Sequence, residues 1–203
     1  EALASAGYDV VIADVRDEDG EQTAEQLRAL GLSVRYVHLD VTSETDWLRT
    51  VADIEATDGR LSVLVNNAGI IRVTRLLELD LEEWDLLQTV NATSVLLGIK
   101  AAAPALVRGG GGSIINIAST AAHRGAEGYG ASSASKAAIL ALTRAAALEL
   151  APDGVRVNSI SPGGVDTPMN LDEPAGGTSS GAPLGRRAQA EEISPLVVFL
   201  AGD

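Results

Sequence analysis

Short apolar runs alternate with segments of helical periodicity along the chain, and this alternation constrains the fold more than any other feature. Apolar runs of this length are typical of strands that are buried on both faces. Because neighbouring parallel strands need a long crossover connection, usually a helix, the alternation indicates a parallel sheet. The predicted strands are residues 8–13, 34–39, 61–65, 113–117 and 155–160, and the predicted helices are residues 20–30, 45–56, 81–107, 132–150 and 190–201. The sequence therefore predicts a doubly wound α/β fold with three layers, αβα, in a single domain over residues 1–203.

The composition excludes several classes of function. With 15 Lys and Arg against 28 Asp and Glu, the net charge is −13, which disfavours binding to nucleic acid or to anionic membranes. The chain has no Cys, and no His, Asp or Glu cluster has the spacing of metal ligands, so we expect no metal. No apolar run approaches the roughly 20 residues of a membrane span and no signal peptide is evident, so we expect a cytoplasmic protein.

An acidic residue, Asp14, ends the first predicted strand. In a dinucleotide-binding sheet, an acidic residue here accepts hydrogen bonds from the adenosine ribose and repels a 2′-phosphate, which favours NAD over NADP. Arg16, two residues later, would partly offset that repulsion. No Gly-rich turn precedes this strand, and the glycine run at 109–112 follows a predicted helix, which is the wrong order for phosphate binding at a helix N-terminus. We interpret the run as a turn.

Five motifs follow one another along the chain. They are Asn66-Asn67-Ala68-Gly69, Asn91 in the long helix, Asn116-Ile117-Ala118-Ser119, the segment from Ser132 to Ala138 that contains Lys136, and Arg156-Val157-Asn158-Ser159-Ile160-Ser161-Pro162-Gly163. In this order and spacing they resemble the classical short-chain dehydrogenase/reductase family over nearly the whole chain. The resemblance implies a Rossmann-like fold and an NAD(P)-dependent oxidoreductase, a ketoreductase that transfers hydride between nicotinamide and an alcohol or ketone.

The resemblance also implies the roles of single residues. Asn91 would kink its helix and hold a water of a proton relay, and Ser119 would hydrogen-bond the substrate oxygen. Lys136 would bind the nicotinamide ribose and lower the pKa of a catalytic tyrosine. His123 and Tyr129 would line the substrate pocket. The expected cofactor contacts are Asp14, Asp40, Val41, Asn67, Ala68, Gly69, Lys136, Pro162, Gly163, Val165 and Thr167.

The match fails at the catalytic tyrosine, which should stand four residues before Lys136, where this chain has Ser132. Either Ser132 replaces the tyrosine or Tyr129, three residues earlier, takes its place. A serine hydroxyl is far less acidic than a phenol, and loss of a general acid/base typically lowers a rate about 10²–10⁴-fold. We therefore predict an NAD-binding enzyme of impaired activity, with a non-catalytic NAD(H)-binding regulatory or structural protein as the alternative.

A hydrolase is a weaker alternative. The segment Gly130-Ala131-Ser132-Ser133-Ala134 resembles a nucleophile elbow, but it lacks the last glycine and no predicted strand leads into it. The only histidines are His38, within a predicted strand, and His123.

Three expectations concern the organisation of the protein. Residues 168–185 are rich in Gly, Pro, Ser and Asp and predict a mobile loop on the substrate side, with a plain linker as the alternative. The helix predicted up to residue 150 is apolar nearly all round, so a second subunit should cover it in a homodimer or homotetramer. The first strand with its Gly-rich turn and the last strand are apparently lacking, and the first is central in the Rossmann order.

Overall fold

The computed structural model describes residues 1–170 and 182–202. Its strands are β1 (Val10–Asp14), β2 (Val34–His38), β3 (Val63–Asn66), β4 (Gly112–Ile117) and β5 (Val155–Ile160). Its helices are α1 (Ala2–Ser5), α2 (Asp17–Ala29), α3 (Glu44–Asp58), α4 (Leu81–Gln88), α5 (Ser94–Arg108), α6 (Gly130–Leu150) and α7 (Ala190–Ala201). The mobile loop predicted over 168–185 lies, from 171 to 181, outside the described residues.

All strand pairs are parallel, as expected from the alternation of strands and helices. β1 pairs with β2 from Val10↔Val34 to Asp14↔His38, and β4 pairs with β3 on one side and β5 on the other. The helices flank these strands, and the architecture is the predicted Rossmann-like α/β fold in one domain. Within the described residues the strands form two groups, β1–β2 and β3–β4–β5, and a cavity of about 510 Å³ separates β1 from β3.

The core has a layer on each side of the larger strand group. Successive strand residues point to opposite faces, so Ile114 of β4 packs with Leu106 of α5 and Ile139 of α6. Ile115 faces the other way and packs with Ile160 and with α7. Ile114, Ile115, Leu106 and Ile139 are all fully buried, and at roughly 1.5–3 kcal/mol for each buried aliphatic side chain they stabilise the three-layer arrangement.

The helix predicted over 81–107 is interrupted. A π turn, Thr89–Thr93, joins α4 to α5, because the chain there adopts the wider i→i+5 hydrogen-bonding pattern. The whole segment Leu81–Arg108 has 28 residues, and an 18-residue window within it has a mean hydropathy of 1.5, so by length and composition alone it is apolar enough to cross a membrane. The expectation that the chain has no membrane span stays a prediction, because length and composition alone do not distinguish a span from a core helix. Half of that 18-residue window is buried inside the protein, and the core helix of a protein that does not span a membrane passes the same test.

α6 starts at Gly130, two residues earlier than predicted. The Ser133 amide donates to the Tyr129 carbonyl at 2.7 Å, which closes the first turn and brings Ser132 into the helix. Ser132 is consequently buried against the protein, at 7% exposure, and does not lie in the preceding loop. The early start matters for the site, because it sets which side chains the first two turns of α6 direct towards the ends of the strands.

Candidate functional site

The predicted site residues lie at the carboxyl ends of the strands and in the loops that follow. Ligands of open α/β sheets bind at this edge, in the crevice outside the strand ends. Four strands each end at or just before a predicted site residue. These residues are Asp14 at the end of β1, Asn67 after β3, Ser119 after β4 and Pro162 after β5. Each strand group therefore presents its predicted residues at the same end of its strands.

A buried chain of hydrogen bonds links β3 and β4 to α6. Asn66 and Asn116 are paired in the register, and Asn66 Nδ2 donates to Asn116 Oδ1 at 2.8 Å. Asn116 Nδ2 donates to the Thr143 hydroxyl at 2.9 Å, and that hydroxyl donates to the Ile139 carbonyl at 2.7 Å. Because all three polar side chains are buried, each one depends on its partners to offset desolvation. The chain holds α6 in a fixed position against the strand ends.

Sequence analysis quoted Asn66 and Asn116 within motifs but assigned them no role, and it missed Thr143. A signal for the first two was present, since both asparagines end predicted apolar strands. Thr143 offered none, because only the packing of α6 on β4 brings it to Asn116. Among residues 1–170 and 182–202, no group of three or more His, Asp or Glu side chains could hold a metal ion.

Asn91 lies in the π turn, is fully buried and clamps the loop after β3. Its Oδ1 accepts a hydrogen bond from the Ile70 amide at 2.8 Å, and its Nδ2 donates to the Ile70 carbonyl at 3.0 Å. Nδ2 also donates to Ser135 Oγ on α6 at 3.1 Å. The π turn interrupts the helix where the resemblance implies a kink. The role of holding a water stays a prediction.

The Lys136 amine lies beside this clamp. Its Nζ donates to the Ile117 carbonyl, at the end of β4, at 2.9 Å. A Cβ on Gly69 would be 3.5 Å from Nζ and 3.1 Å from Asn91 Oδ1, so the amine, the carboxamide and Gly69 share one small space. Burial lowers the pKa of Lys136 to about 8, because desolvation penalises the ammonium form. At neutral pH the group is still mostly an ammonium, able to donate to a hydroxyl or an anion.

Both residues considered for the tyrosine role stand at the start of α6. Ser132 lies one turn before Lys136 and is 7% exposed, and Tyr129, directly before the helix, is 8% exposed. The Ser132 carbonyl accepts a hydrogen bond from Ser135 Oγ at 2.8 Å, which connects this turn to Asn91. The two alternatives therefore occupy adjacent places in the molecule, and the choice between them stays open.

The loops after β4 and β5 are tied together. Ser119 begins a 3-10 turn, Thr120–Ala122, and its Oγ accepts a hydrogen bond from the Ala121 amide at 3.1 Å. The Thr120 amide donates to the Pro162 carbonyl at 2.9 Å. His123 follows the turn, with Nε2 at 3.2 Å from Ser161 Oγ. These contacts bring Ser119 and His123 next to the loop after β5, which carries the expected cofactor contacts from Pro162 to Thr167.

That loop, the segment after β5, returns to pair with the chain before α7. Val165 and Ala188 form a parallel bridge. The Ala188 amide donates to the Gly164 carbonyl at 2.9 Å, and the Asp166 amide donates to the Ala188 carbonyl at 2.8 Å. The pairing fixes the backbone of the predicted contacts Pro162, Gly163, Val165 and Thr167. A Cβ on Gly163 would meet nothing within 4 Å, so the loop is open at this point.

A second set of predicted residues lies at the ends of β1 and β2. Asp14 Oδ1 accepts a hydrogen bond from the Arg16 amide at 3.0 Å, and the Asp14 side chain is 44% exposed. The Arg16 guanidinium is 3.6 Å from Asp14 and 3.0 Å from Asp19, so two carboxylates share its charge. The Asp40 carboxylate accepts hydrogen bonds from the hydroxyl and the amide of Thr42, which lower its pKa.

The structure thus divides the predicted residues into two sets. One set surrounds the start of α6 and the loops after β4 and β5. The other lines the cavity between β1 and β3, and its members are Asp14, Val41, Asn67 and Ala68. Asn67 and Ala68 directly precede Gly69, which adjoins Lys136, so the loop after β3 connects the two sets.

Comparison with known proteins identifies the family. The sequence model of a family described as Enoyl-(Acyl carrier protein) reductase matches residues 1–203. A 3-alpha-(or 20-beta)-hydroxysteroid dehydrogenase of Mycobacterium bovis is 42% identical over 202 residues, which cover 100% of this chain and 76% of the relative. A cyclopentanol dehydrogenase of Comamonas testosteroni is 39% identical over 206 residues, covering 99% of this chain and 82% of the relative.

A solved structure matches the fold as well. The crystal structure of a gluconate 5-dehydrogenase from Burkholderia cenocepacia in complex with NADP and tartrate superposes with a TM-score of 0.92 at 30% identity. The superposition covers 99% of this chain and 81% of that chain. Family match, relatives and architecture agree, and the chain belongs to the classical short-chain dehydrogenase/reductase family of oxidoreductases.

Proposed function

We propose that the chain binds a nicotinamide cofactor and transfers hydride between it and an alcohol or ketone. The observation that carries this proposal is the Lys136 ammonium, which lies beside Gly69 and Asn91 at the end of β4. There it would donate hydrogen bonds to the ribose next to the nicotinamide, and the bound cofactor would supply the hydride. Ser119 would donate to the substrate oxygen, where negative charge develops as a ketone is reduced.

For the cofactor we propose NAD(H), in preference to NADP(H). The exposed carboxylate of Asp14 can accept from a ribose hydroxyl but would repel a 2′-phosphate. Arg16 offsets this repulsion little, because Asp14 and Asp19 already share its charge. The gluconate 5-dehydrogenase structure holds NADP, so both cofactors are to be compared in any assay.

As substrate class we propose a secondary alcohol on a carbon ring, or the corresponding ketone. The names of the two relatives include hydroxyls of this kind, the 3-alpha-hydroxyl of a steroid and the hydroxyl of cyclopentanol, whereas the 20-beta-hydroxyl in the first name is a secondary alcohol on the steroid side chain. His123 and Tyr129 would border the ring. Cyclopentanol is a suitable first probe because it is small and carries a single hydroxyl.

We further propose that Ser132 impairs the chain at the proton-transfer step. The Lys136 ammonium favours an anionic neighbour, and a phenol one turn earlier would respond with a pKa nearer to neutrality. The serine at that position has too high a pKa and too short a side chain to exchange a proton with substrate. We expect kcat/KM for cyclopentanol to rise about 10²–10⁴-fold in Ser132→Tyr.

The experiment measures NADH binding by fluorescence and cyclopentanol oxidation by NADH absorbance, for the unmodified chain and for Ser132→Tyr. Lys136→Met in the Ser132→Tyr background is the control, since it should remove the gained activity while the circular dichroism stays native. An unmodified chain with activity equal to that of Ser132→Tyr would contradict the impairment. Binding of neither NADH nor NADPH by the protein from its natural source would contradict the proposed function.

The second candidate function is that of an NAD(H)-binding regulatory or structural protein without turnover. The observation that favours it is the serine itself, buried at the position where the family chemistry needs a phenol. Tight NADH binding together with an inactive but folded Ser132→Tyr variant would support this alternative over the enzyme.

We propose that one more parallel strand belongs in the gap between β1 and β3. In the described chain the facing edges of these strands have no strand partner, and apolar side chains such as Val10, Val11 and Val65 line the cavity between them. In the Rossmann order this is the place of the first strand, whose Gly-rich turn binds the pyrophosphate. Intact mass spectrometry of the protein from its natural source should give more than 20.9 kDa, the mass of this chain. A mass of 20.9 kDa would contradict the proposal.

We also propose that α5 and α6 pack against a second copy of the chain. A groove of about 450 Å³ runs between them, lined by Ile99, Ala103, Val107, Ala146 and Leu150. Lys100 and Glu149 flank the groove, so two copies related by a twofold axis would offer each other both charges. Light scattering should show a dimer or tetramer, and Ala103→Glu should shift it to monomer. A monomer of the unmodified chain would contradict the proposal.

A further inference from the structure

Tyr36 lies in the middle of β2, paired with Ile12 of β1, and its hydroxyl reaches the turn that leaves β1. The oxygen is 2.7 Å from the Asp14 carbonyl and 2.6 Å from Asp17 Oδ1, and the hydroxyl donates to these acceptors. Asp14 is the last residue of β1 and Asp17 is the first of α2. One side chain from β2 therefore holds both ends of the β1–α2 turn.

Asp17 is held from a second position on β2. Its Oδ1 is 2.7 Å from Nδ1 of His38, which lies two residues after Tyr36 and so on the same face of the strand. Hydrogen bonds from Tyr36 and His38 keep the pKa of Asp17 below its usual range, so its carboxylate is ionised at neutral pH. Burial, with a smaller contribution from Asp17, raises the pKa of Tyr36 to about 12. The phenol therefore stays a hydrogen-bond donor at neutral pH.

The Tyr36 ring is fixed by packing as well as by its hydroxyl. A Cβ on Gly20 would overlap the ring, so α2 contacts the ring directly through its backbone. On the same side, the ring packs against the cluster of Ala24, Leu27 and Val34. A ring confined in this way leaves its hydroxyl little freedom, and the β1–α2 turn is held against a rigid support.

The held turn carries the carboxylate that faces the proposed nucleotide. The carbonyl of Asp14 accepts from Tyr36, and its carboxylate accepts from the Arg16 amide within the same turn. The charged groups at this rim are the carboxylates of Asp14, Asp17, Asp19 and Asp40, against the guanidinium of Arg16. The carboxylates outnumber the cations, which disfavours an additional phosphate.

We propose that Tyr36 and Asp17 are positioning residues that set the selectivity between NAD(H) and NADP(H), an inference that rests on the proposed function. Tyr36 holds Asp14 where its carboxylate can accept from the 2′-hydroxyl of the adenosine ribose. Asp17 fixes the start of α2 and adds a second negative charge against a 2′-phosphate. Neither residue has to touch the cofactor, because Tyr36 acts through the position of Asp14, and Asp17 acts through the start of α2 and through its charge.

The experiment compares dissociation constants for NADH and NADPH, measured by fluorescence, in Tyr36→Phe and Asp17→Asn. Tyr36→Phe removes a hydrogen bond and Asp17→Asn removes a partly screened charge. In each variant, the dissociation constant for NADPH divided by that for NADH should fall about five- to tenfold. The controls are Tyr8→Phe, a tyrosine outside the turn, and Glu18→Gln, which removes the same charge from the next residue of α2. Both should change the ratio less than about twofold.

A merely structural role would weaken NADH and NADPH binding by the same factor, and an unchanged ratio in both variants would overturn the proposal. A second measurement needs no nucleotide. In Tyr36→Phe, hydrogen exchange of the Arg16 amide should become faster, and the phenol that titrates near pH 12 should disappear from the absorbance titration. Unchanged exchange at Arg16 would overturn the positioning role even if the unmodified chain bound neither nucleotide, whereas binding of neither nucleotide by the protein from its natural source would by itself contradict only the proposed function.

Discussion

Replacing Lys136 by methionine tests whether burial of its charge opposes folding. Within the described part of the chain, Lys136 Nζ has one hydrogen bond, to the Ile117 carbonyl. Its pKa is lowered by desolvation, and no acidic partner is among the causes. Methionine has a similar length and no charge. Lys136→Met should therefore remove a penalty that the folded chain carries at neutral pH, and this penalty should depend on pH in a defined way.

The magnitude follows from the two pKa values of the lysine. The unfolded chain releases the proton near 10.5 and the folded chain near about 8, so between these values the unfolded state binds more protons and stability rises with pH. At pH 7 both states hold the proton and the full penalty is present. Between pH 7 and pH 10, at about 1.4 kcal/mol per pKa unit, some 2–3 kcal/mol of the penalty is relieved. The hydrogen bond lost in the variant, roughly 1–3 kcal/mol, is absent at both pH values and cancels.

The assay is urea unfolding of both proteins at pH 7 and at pH 10. The free energy of unfolding of Lys136→Met minus that of the unmodified chain should be about 2–3 kcal/mol larger at pH 7 than at pH 10, because the variant gains more stability at pH 7. Lys100→Met is the matched control, because Lys100 is exposed and paired with Glu44 at 2.6 Å. Its relative stability should change by less than about 1 kcal/mol over the same interval.

An equal effect of Lys136→Met at both pH values would refute the reasoning. It would mean that the ammonium is solvated in the folded chain and that Lys136 does not have a lowered pKa. A Lys136→Met variant whose stability relative to the unmodified chain rises between pH 7 and pH 10 would refute the reasoning as well, since that is the opposite sign.

Three further predictions concern the support of the site, each checked by urea unfolding at pH 7. Gly111→Ala should lower the free energy of unfolding by about 2–4 kcal/mol, because Gly111 has a φ of +110° and an added Cβ would lie 2.6 Å from the Gly154 carbonyl oxygen. The control Gly110→Ala, at a φ of +89° but in open space, should lower it by only about 1 kcal/mol. Equal losses in the two variants would contradict the clash. Asn116→Ala should cost about 2–4 kcal/mol, since it removes two buried hydrogen bonds and leaves the Asn66 side-chain amide without its acceptor, and a loss below 1 kcal/mol would show that water replaces it. Ser43→Ala should cost about 1 kcal/mol by removing the cap of α3, whose hydroxyl accepts from the Asp46 amide at 3.2 Å, and an unchanged midpoint would show that the cap contributes nothing.

The parallel α/β fold could be predicted from the chain because its signal is local and repeated. Five apolar runs separated by helical segments leave few alternatives, since parallel strands require crossovers and helices require a sheet to cover their apolar faces. Helix boundaries were less certain. The start of α6 at Gly130 depends on the contact of the Tyr129 carbonyl with the Ser133 amide, and the π turn around Asn91 depends on the loop that Asn91 clamps.

The order of the residue types along the sequence determined the family, the strand ends at which Asp14 and Ser119 stand, and the mismatch at Ser132, because these depend only on spacing. Only the tertiary structure decided which groups meet. Residues far apart in the chain, such as Tyr36 and Asp14 or Thr143 and Asn116, form their hydrogen bonds because packing brings their strands and helices together. The pKa of Lys136 likewise follows from burial, which is a property of the surrounding protein and cannot be read from the residue and its neighbours in sequence.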